Sequence, residues 1–313
     1  MEIWLIVLFL FIGFIIGFYP IFPQKFYQVT GFITNSGLVI LLLAMGAKIG
    51  MDDRILSRMD QIGFQAIMLA LAAILGSIIC VKIFILQQGM ELSPLDEKTS
   101  PVAGSSSDSE ENGHLMTFMI TGSVVAGILL GFFVLPEQVF AALDKITTYA
   151  LAVLLFGVGV DMGSNRSIFE QLKDLGWQII VLPFLVATGS ILGAVVMGLL
   201  LGLGSSEAAA VGAGFGWYSL SGVILGEIYS VELGSLAFLT NVFREILTII
   251  SLPFAVKYIG RLTSIAPGGA TTMDVTLPVI KETAGEEVVI PAFISGVVLS
   301  MLVPILVPFL IGI

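Results

Sequence analysis

Long apolar runs, each close to the length of a membrane-spanning helix, recur along the whole chain. About 20 apolar residues are needed for a helix to cross the hydrocarbon core of a bilayer. The runs cover residues 3–19, 33–49, 62–86, 116–135, 146–160, 176–203, 232–259 and 287–312. This pattern predicts an all-α integral membrane protein with about eight transmembrane helices.

Two further apolar stretches, 206–226 and 263–283, are interrupted by Gly, Ser, Thr and Pro. The first contains GFGWYSLSGVILGE, and the second contains APGGATTMDVTLP. Prolines and paired glycines prevent one long helix, and irregular backbone at membrane depth is tolerated only where protein or water satisfies it. Both stretches are therefore predicted to be re-entrant. The glycines expected to permit the breaks are Gly214, Gly216, Gly222, Gly268 and Gly269.

An internal repeat becomes visible when the sequence is shifted by 113 residues against itself. Between Ser36 and Ser77, 12 of the 42 aligned pairs are identical, and Gly76-Ser77 falls on Gly189-Ser190. Each copy would hold three helices, an odd number, so the second copy must have inverted topology, as in many transporters. The predicted units are a first three-helix repeat (1–86), an acidic flexible linker (87–114), a second three-helix repeat (115–203) and a C-terminal transport-site region (204–313).

Composition supports a membrane protein and locates much of its charge in the linker. The 313 residues are 57% hydrophobic and only 12% charged, with a mean hydropathy of +1.05, whereas soluble domains are about 25% charged. The net charge is −10, and the linker, with six carboxylates and one lysine, supplies half of it. Nothing here favours nucleic-acid binding. The linker is too polar to form a packed core, and we expect a tether.

The chain opens with MEIWLIVLFLFIGFIIGFYP, which lacks a basic region and a small-residue cleavage site. We therefore expect a first spanning helix here rather than a cleaved signal peptide. An extracytoplasmic N-terminus places seven lysines and arginines on the cytoplasmic side and four on the other side. The positive-inside rule then favours extracytoplasmic positions for both chain termini.

Neither metal nor cofactor chemistry is indicated. The single cysteine, Cys80, excludes an intramolecular disulfide and a multi-cysteine metal cluster, and the single histidine, His114, lies in the linker. The sequence has no Walker A loop, no dinucleotide-binding glycine motif and no H-E-x-x-H. We predict no metal and no cofactor, and ATP-driven pumping by this chain alone is not expected.

Arg244 and Glu245 lie near the middle of the apolar run 232–259. An ionised side chain there costs about 3 kcal/mol on insertion scales. Asn241, Glu245 and Thr248 share one helix face, which should point into the protein. One interpretation is a structural ion pair between helices, and the other is a role in transport, with Glu245 as the first candidate and Arg244 as the second.

The broken stretches supply the other polar candidates. Helix ends can bind a carboxylate and acidic side chains an ammonium, so the set suits a zwitterion with extra positive charge. The aromatic side chains of Trp217 and Tyr218 could stack on a cation, or they could belong to an aromatic belt at the membrane interface. Besides Glu245, Arg244 and Asn241, the candidates for substrate or proton binding are Thr240, Asp274, Thr271, Thr272, Trp217, Tyr218, Ser219, Ser221 and Glu227.

Four segments resemble the LysO-type lysine exporters: GFGWYSLSG, REILTIISLPF, GGATTMDVTLPVI and SMLVPILVPF. The likeness is most specific across about 209–309. It implies export of L-lysine and lysine analogues across the plasma membrane of a prokaryote, driven by an ion gradient, with protons as the expected coupling ion. On this resemblance, Glu245 would bind the substrate ammonium and a proton in turn.

The chain departs from the family pattern just before the Arg-Glu pair, where Thr240 and Asn241 stand in place of an expected Asn-Asp pair. Coupling or substrate choice could therefore differ. The alternatives are an ion-coupled carrier of another amino acid or an organic anion, with Arg244 as the substrate partner, and, more remotely, an intramembrane aspartyl-type protease that uses Glu245 and Asp274. Otherwise the expected partners are the small-molecule substrate, its coupling ion and the bilayer, and a homodimer is left open.

Overall fold

The computed structural model describes residues 3–19, 24–51, 56–89, 122–136, 139–164 and 177–312. Regular structure in these residues is entirely helical, which confirms the predicted all-α class. His114 and nearly all of the predicted linker lie outside the described residues.

The helices, numbered in chain order, follow the predicted apolar runs and extend beyond several of them. They are α1 (Ile3–Phe18), α2 (Gln24–Met51), α3 (Met59–Gln88), α4 (Gly122–Phe133), α5 (Phe140–Ser164), α6 (Trp177–Leu200), α7 (Ser205–Gly212), α8 (Tyr218–Ile228), α9 (Val231–Ile259), α10 (Leu277–Ala284) and α11 (Val289–Ile311). Short 3-10 helices cover Thr263–Ile265, Gly269–Met273 and Glu286–Val288.

Five helical segments of the described chain are long and apolar enough to cross a membrane. They are Met59–Gln88, Lys145–Ser164, Ile179–Leu200, Val231–Ile259 and Glu286–Ile311. Shorter apolar helical segments occur at Leu8–Phe18, Ser36–Met51, Gly122–Phe133 and Tyr218–Ile228. A multi-pass membrane protein is thus supported, whereas the count of eight spans stays a prediction.

Glycines mark the places where the first six helices pack closest together. A Cβ on Gly76 of α3 would overlap the backbone of Gly189 on α6, and a Cβ on Gly189 would overlap Gly76. The same relation joins α1 to α5 through Gly13 and Gly159. It also joins α2 to α4, where a Cβ on Gly46 or on Gly127 would overlap the facing helix. Small residues allow such close approach in membranes, where van der Waals packing holds helices together.

Replacing Gly76 by Ala should destabilise the protein by about 1–3 kcal/mol, because the new methyl group meets backbone that cannot move aside. Gly63→Ala, on the same helix, is the matched control, because its Cβ would meet nothing within 4 Å. That change should be neutral or stabilising by up to about 1 kcal/mol. Thermal unfolding of the purified variants measures both effects, and equal stability of the two variants would contradict the close crossing.

The C-terminal region contains two breaks in helical structure. Residues 213–217 separate α7 from α8, and residues 266–276 contain turns and the 3-10 helix Gly269–Met273. Both lie in stretches that the sequence predicts to be broken. Ser230 then caps α9 by accepting a hydrogen bond from Leu233 N–H at 3.1 Å, so this long helix begins directly after α8.

Candidate functional site

The two breaks meet each other inside the protein. The carbonyl oxygen of Phe215 in the first break accepts a hydrogen bond of 2.8 Å from the N–H of Ala270 in the second. Phe215 has a φ of 49°, which is uncommon for a residue with a side chain. The surrounding contacts must therefore hold this backbone in place. We call Ala213–Trp217 the first tip and Ala266–Thr276 the second tip.

Glycine is needed at two positions where the tips touch. Gly216 has a φ of 99° and Gly269 a φ of 60°, both in the left-handed region that glycine adopts without strain. A Cβ on Gly269 would overlap the carbonyl of Phe215. Gly214 and Gly268 also lie in the tips. Gly222, which we predicted to permit a break, lies instead inside α8, where the lack of a side chain lets that helix pack against Phe238.

Asn241 on α9 replaces hydrogen bonds that the first tip has lost. Its Oδ1 accepts from the N–H of Gly216 at 2.7 Å, and its Nδ2 donates to the hydroxyl of Ser221 at 3.2 Å and to the carbonyl of Ala237 at 2.9 Å. Ser221 in turn donates to the carbonyl of Trp217 at 2.9 Å. The side chain that directly satisfies the tip backbone is therefore Asn241, with Ser221 behind it.

Arg244 binds the second tip and the crossing of α3 with α6 at the same time. Its side chain is 1% exposed. It donates to the carbonyls of Pro267 (2.9 Å) and Ala266 (3.3 Å) and to the hydroxyls of Ser190 (2.6 Å) and Ser77 (3.3 Å). All four acceptors are neutral. Arg244 is therefore a fixed positive charge with no carboxylate in contact within the described part of the chain.

Glu245 is the opposite case, a buried carboxylate without a hydrogen-bond partner. It is 5% exposed, and it makes no hydrogen bond or ion pair with any described residue. Its neighbour Arg244 points elsewhere, as the helical geometry predicted. Asp274 in the second tip is close enough to repel it electrostatically. Asp274 itself is exposed and accepts a hydrogen bond of 2.6 Å from Val275 N–H.

The threonines among the candidates have different environments. Thr271 donates to the carbonyl of Gly268 at 3.0 Å and lies 3.2 Å from the hydroxyl of Thr276, while Thr272 bonds the carbonyls of Gly269 and Ala292. These two side chains stabilise the second tip. The hydroxyl of Thr240 on α9 is buried and has no hydrogen-bond partner in the described structure.

The aromatic residues at the start of α8 belong largely to the apolar core. Tyr218 is buried, and its ring meets the ring of Phe238 edge-on at 5.5 Å. Trp217 is half-buried and packs against the same core. Ser219 is buried. A stacking role toward a cation would fall to Trp217, the more accessible of the two rings.

Glu227 lies apart from the tips, at the far end of α8. Its carboxylate forms an ion pair of 2.7 Å with Lys48 of α2. Two residues further on, the exposed Tyr229 donates a 2.7 Å hydrogen bond to Glu207. This bond raises the pKa of the Tyr229 phenol. The hydrogen bond between Tyr229 and Glu207 joins the outer ends of α7 and α8, so these two helices form a closed hairpin.

Sequence reasoning missed the partners of Arg244. Ser77 and Ser190 are 167 and 54 residues away from it. A signal was present, because both serines follow the matched glycines of the repeat. The ion pair of Lys48 with Glu227 was also missed, because its two residues are 179 positions apart.

A model of the protein family described as lysine exporter LysO matches residues 7–102 and 121–311. The match covers most of the chain, including both tips and α9. The chain belongs to the lysine exporter LysO family.

Two curated relatives agree with this membership in the LysO family. The Lysine exporter LysO of Escherichia coli K12 is 35% identical over 195 residues, which is 62% of this chain and 64% of that protein. A putative lysine exporter of Haemophilus influenzae is 32% identical over 190 residues, 61% of this chain and 95% of that protein. The alignment thus spans just under two thirds of the E. coli relative. No solved structure matches the chain.

Proposed function

We propose that this protein is a secondary active transporter that exports L-lysine and lysine analogues from the cytoplasm by proton antiport. The family and the names of the two relatives support lysine as the substrate. The tips, Asn241, Arg244 and Glu245 together form the proposed transport site.

The observation that carries the proposal is the buried carboxylate of Glu245, which has no hydrogen-bond or ion-pair partner among the described residues. Burying an ionised carboxylate without a counter-ion is costly, so such a group binds a proton or a cation. The nearby carboxylate of Asp274 adds repulsion. One added positive charge relieves both costs, whether a proton or the ammonium group of a substrate supplies it.

Antiport follows if the proton and the substrate ammonium compete for Glu245. Protonated Glu245 cannot attract the ammonium, and ammonium-bound Glu245 holds no proton, so each opposes the binding of the other. The carboxylate of lysine would lie near the start of α8, where the positive end of the helix dipole favours an anion. Trp217 is positioned beside this helix start. Arg244 would hold the second tip in place without contacting the substrate.

The membrane topology we propose has eight crossings, made by α1, α2, α3, α4, α5, α6, α9 and α11. The two hairpins that carry the tips would then enter from opposite sides. Both termini would be extracytoplasmic, in the plasma membrane of a prokaryote. Matching helix contacts support the inverted repeat. Gly13 of α1 packs against α5 near Gly159, and Gly127 of α4 packs against α2 near Gly46 in the same way. The units 1–86, 115–203 and 204–313, joined by the linker 87–114, follow from this repeat.

Efflux of labelled lysine from proteoliposomes tests the proposal. A proton gradient that drives protons into the liposomes should accelerate the efflux of lysine from liposomes that contain the wild-type protein. Protein-free liposomes are the control. Absence of lysine movement under every imposed gradient would contradict the proposed function. Sodium-dependent flux of an organic anion would favour the alternative carrier, although the four neutral acceptors on Arg244 leave it little capacity to bind an anion.

An intramembrane protease is not favoured by the geometry of the two carboxylates. A proteolytic dyad needs two carboxyl groups that share a proton. Glu245 and Asp274 share no hydrogen bond in the described structure, and Asp274 is exposed while Glu245 is buried. We therefore assign these residues to binding and not to catalysis.

A further inference from the structure

Lys48 places a primary ammonium group inside the protein, away from the two tips. Its side chain is 4% exposed, and the side chain of Glu227 is 10% exposed. The Nζ atom lies 2.7 Å from Glu227 Oε1 and donates a 3.1 Å hydrogen bond to the hydroxyl of Thr147. These three residues come from α2, α8 and α5, so the cluster joins three separate helices.

The surroundings of Lys48 have the chemistry of an amine-binding site. A buried ammonium loses its hydration at a cost of several kcal/mol, which only a carboxylate and further acceptors can offset. Thr147 donates its own hydroxyl proton to the carbonyl of Leu143 at 2.9 Å, so its oxygen is oriented to accept from Lys48. A carboxylate and a hydroxyl oriented as an acceptor are what the ammonium end of a lysine side chain requires.

The cluster lies near the end of α8 that is opposite to the first tip. Glu227 is ten residues beyond Trp217, which corresponds to about 15 Å along α8 at the helical rise per residue. Tyr229, two residues further, is exposed. Glu227 therefore lies between the first tip and the exposed end of α8.

We propose that Glu227 and Thr147 form a second site for a primary alkylammonium group, that the Lys48 side chain occupies it in this conformation, and that the side-chain ammonium of the exported substrate replaces Lys48 there. The identity of the substrate rests on the proposed function, but the amine site does not. Exchange of one ammonium for another keeps the charge of Glu227 compensated. Because Lys48 stays tethered at high effective concentration, it returns when the substrate leaves.

Chemical rescue tests the amine site without any transport. Lys48→Ala removes three methylene groups and the ammonium, a space that n-propylammonium fits. The purified variant should melt at a lower temperature than the wild type, and millimolar n-propylammonium should raise its melting temperature by several degrees through binding to the folded state. Neither 1-propanol nor tetramethylammonium should do so. The wild type and the double variant Lys48→Ala, Glu227→Gln should show no response to n-propylammonium.

A folded Lys48→Ala variant without an n-propylammonium response, or with an equal response to 1-propanol, would overturn the proposal. If that variant cannot be purified folded, Lys48→Met in the full chain serves instead, with efflux as the readout. Removal of the tethered competitor should lower the lysine concentration for half-maximal efflux, and an unchanged or higher value would overturn the proposal. These results are separable from the proposed function, because wild-type liposomes that move no lysine would leave the rescue experiment intact.

Exchange at Glu227 is tested by Lys48→Arg. A guanidinium keeps the charge and binds a carboxylate through two parallel hydrogen bonds, so it should be harder to displace than an ammonium. Lysine efflux should then fall by about threefold or more, while the melting temperature stays unchanged or rises. A purely structural ion pair would tolerate this change, so unchanged efflux in Lys48→Arg would refute the exchange of Lys48 with substrate.

Discussion

Replacing Glu245 by Gln should reduce gradient-driven lysine efflux to the level of protein-free liposomes. The amide has nearly the same shape as the carboxylate, but it can neither take up a proton nor attract an ammonium at neutral pH. Since Glu245 is buried and has no partner among the described residues, the change breaks no hydrogen bond. The folded protein should therefore survive, and its stability should rise because a desolvated charge is gone.

Glu232→Gln is the matched control for this experiment. Glu232 lies on the same helix α9, its side chain is 54% exposed, and within the described chain it forms a surface ion pair with Arg58 at 3.5 Å. Exposed pairs of this kind contribute about 0–1 kcal/mol, so both efflux and stability should stay at wild-type values. Efflux by Glu245→Gln at a rate close to that of Glu232→Gln would remove Glu245 from the coupling mechanism and make Asp274→Asn the next variant to measure.

The helices of this fold could be predicted largely from the lengths of the apolar runs in the sequence. The residues at which the helices begin and end could not. Hydropathy identifies the part of a helix that lies in hydrocarbon, whereas hydrogen bonding decides where the helix stops. The run 33–49 is therefore part of α2, which already begins at Gln24 in a more polar segment. The breaks were predictable because glycines and prolines change the backbone itself, as Gly216 and Gly269 illustrate.

The partners of the polar residues were much harder to predict. Burial of Arg244 and Glu245 follows from their position in an apolar run, and the shared face of Asn241 and Glu245 follows from helical periodicity. The hydroxyls that bind Arg244 come instead from two other helices, and their approach depends on how α3 and α6 cross. Glu227 was predicted to hold an ammonium, but only the packing of α2 beside α8 reveals that Lys48 supplies one.

Replacing Arg244 by Met should destabilise the protein by several kcal/mol and abolish lysine efflux. Methionine fills a similar apolar volume, but it donates no hydrogen bond, so the carbonyls of Ala266 and Pro267 lose their donors. Each buried acceptor left without a partner costs about 1–3 kcal/mol. The second tip would then keep its bond to Phe215, its own threonine bonds and its contacts with Ala292 and Ser300 of α11, but it would lose its link to α9.

Two effects on the stability of Arg244→Met oppose each other, so the measured change in stability shows which of them is larger. Removing a buried charge also removes its desolvation cost, and buried ions replaced by apolar side chains can leave stability unchanged or increase it. We expect the lost hydrogen bonds to outweigh this gain, because Arg244 makes four of them and all four acceptors remain buried. Thermal unfolding and efflux should be measured on the same samples, with the exposed Arg58→Met as the control.

Arg244→Lys separates charge from geometry at this position. Lysine retains the positive charge but carries a single compact donor group, which cannot reach two carbonyls and two serine hydroxyls from different helices at once. Its efflux should therefore be nearly as low as that of Arg244→Met. Wild-type efflux by Arg244→Lys would mean that a positive charge near Glu245 is sufficient. Loss in both variants would mean that the site depends on the guanidinium that joins the second tip to the crossing of α3 and α6.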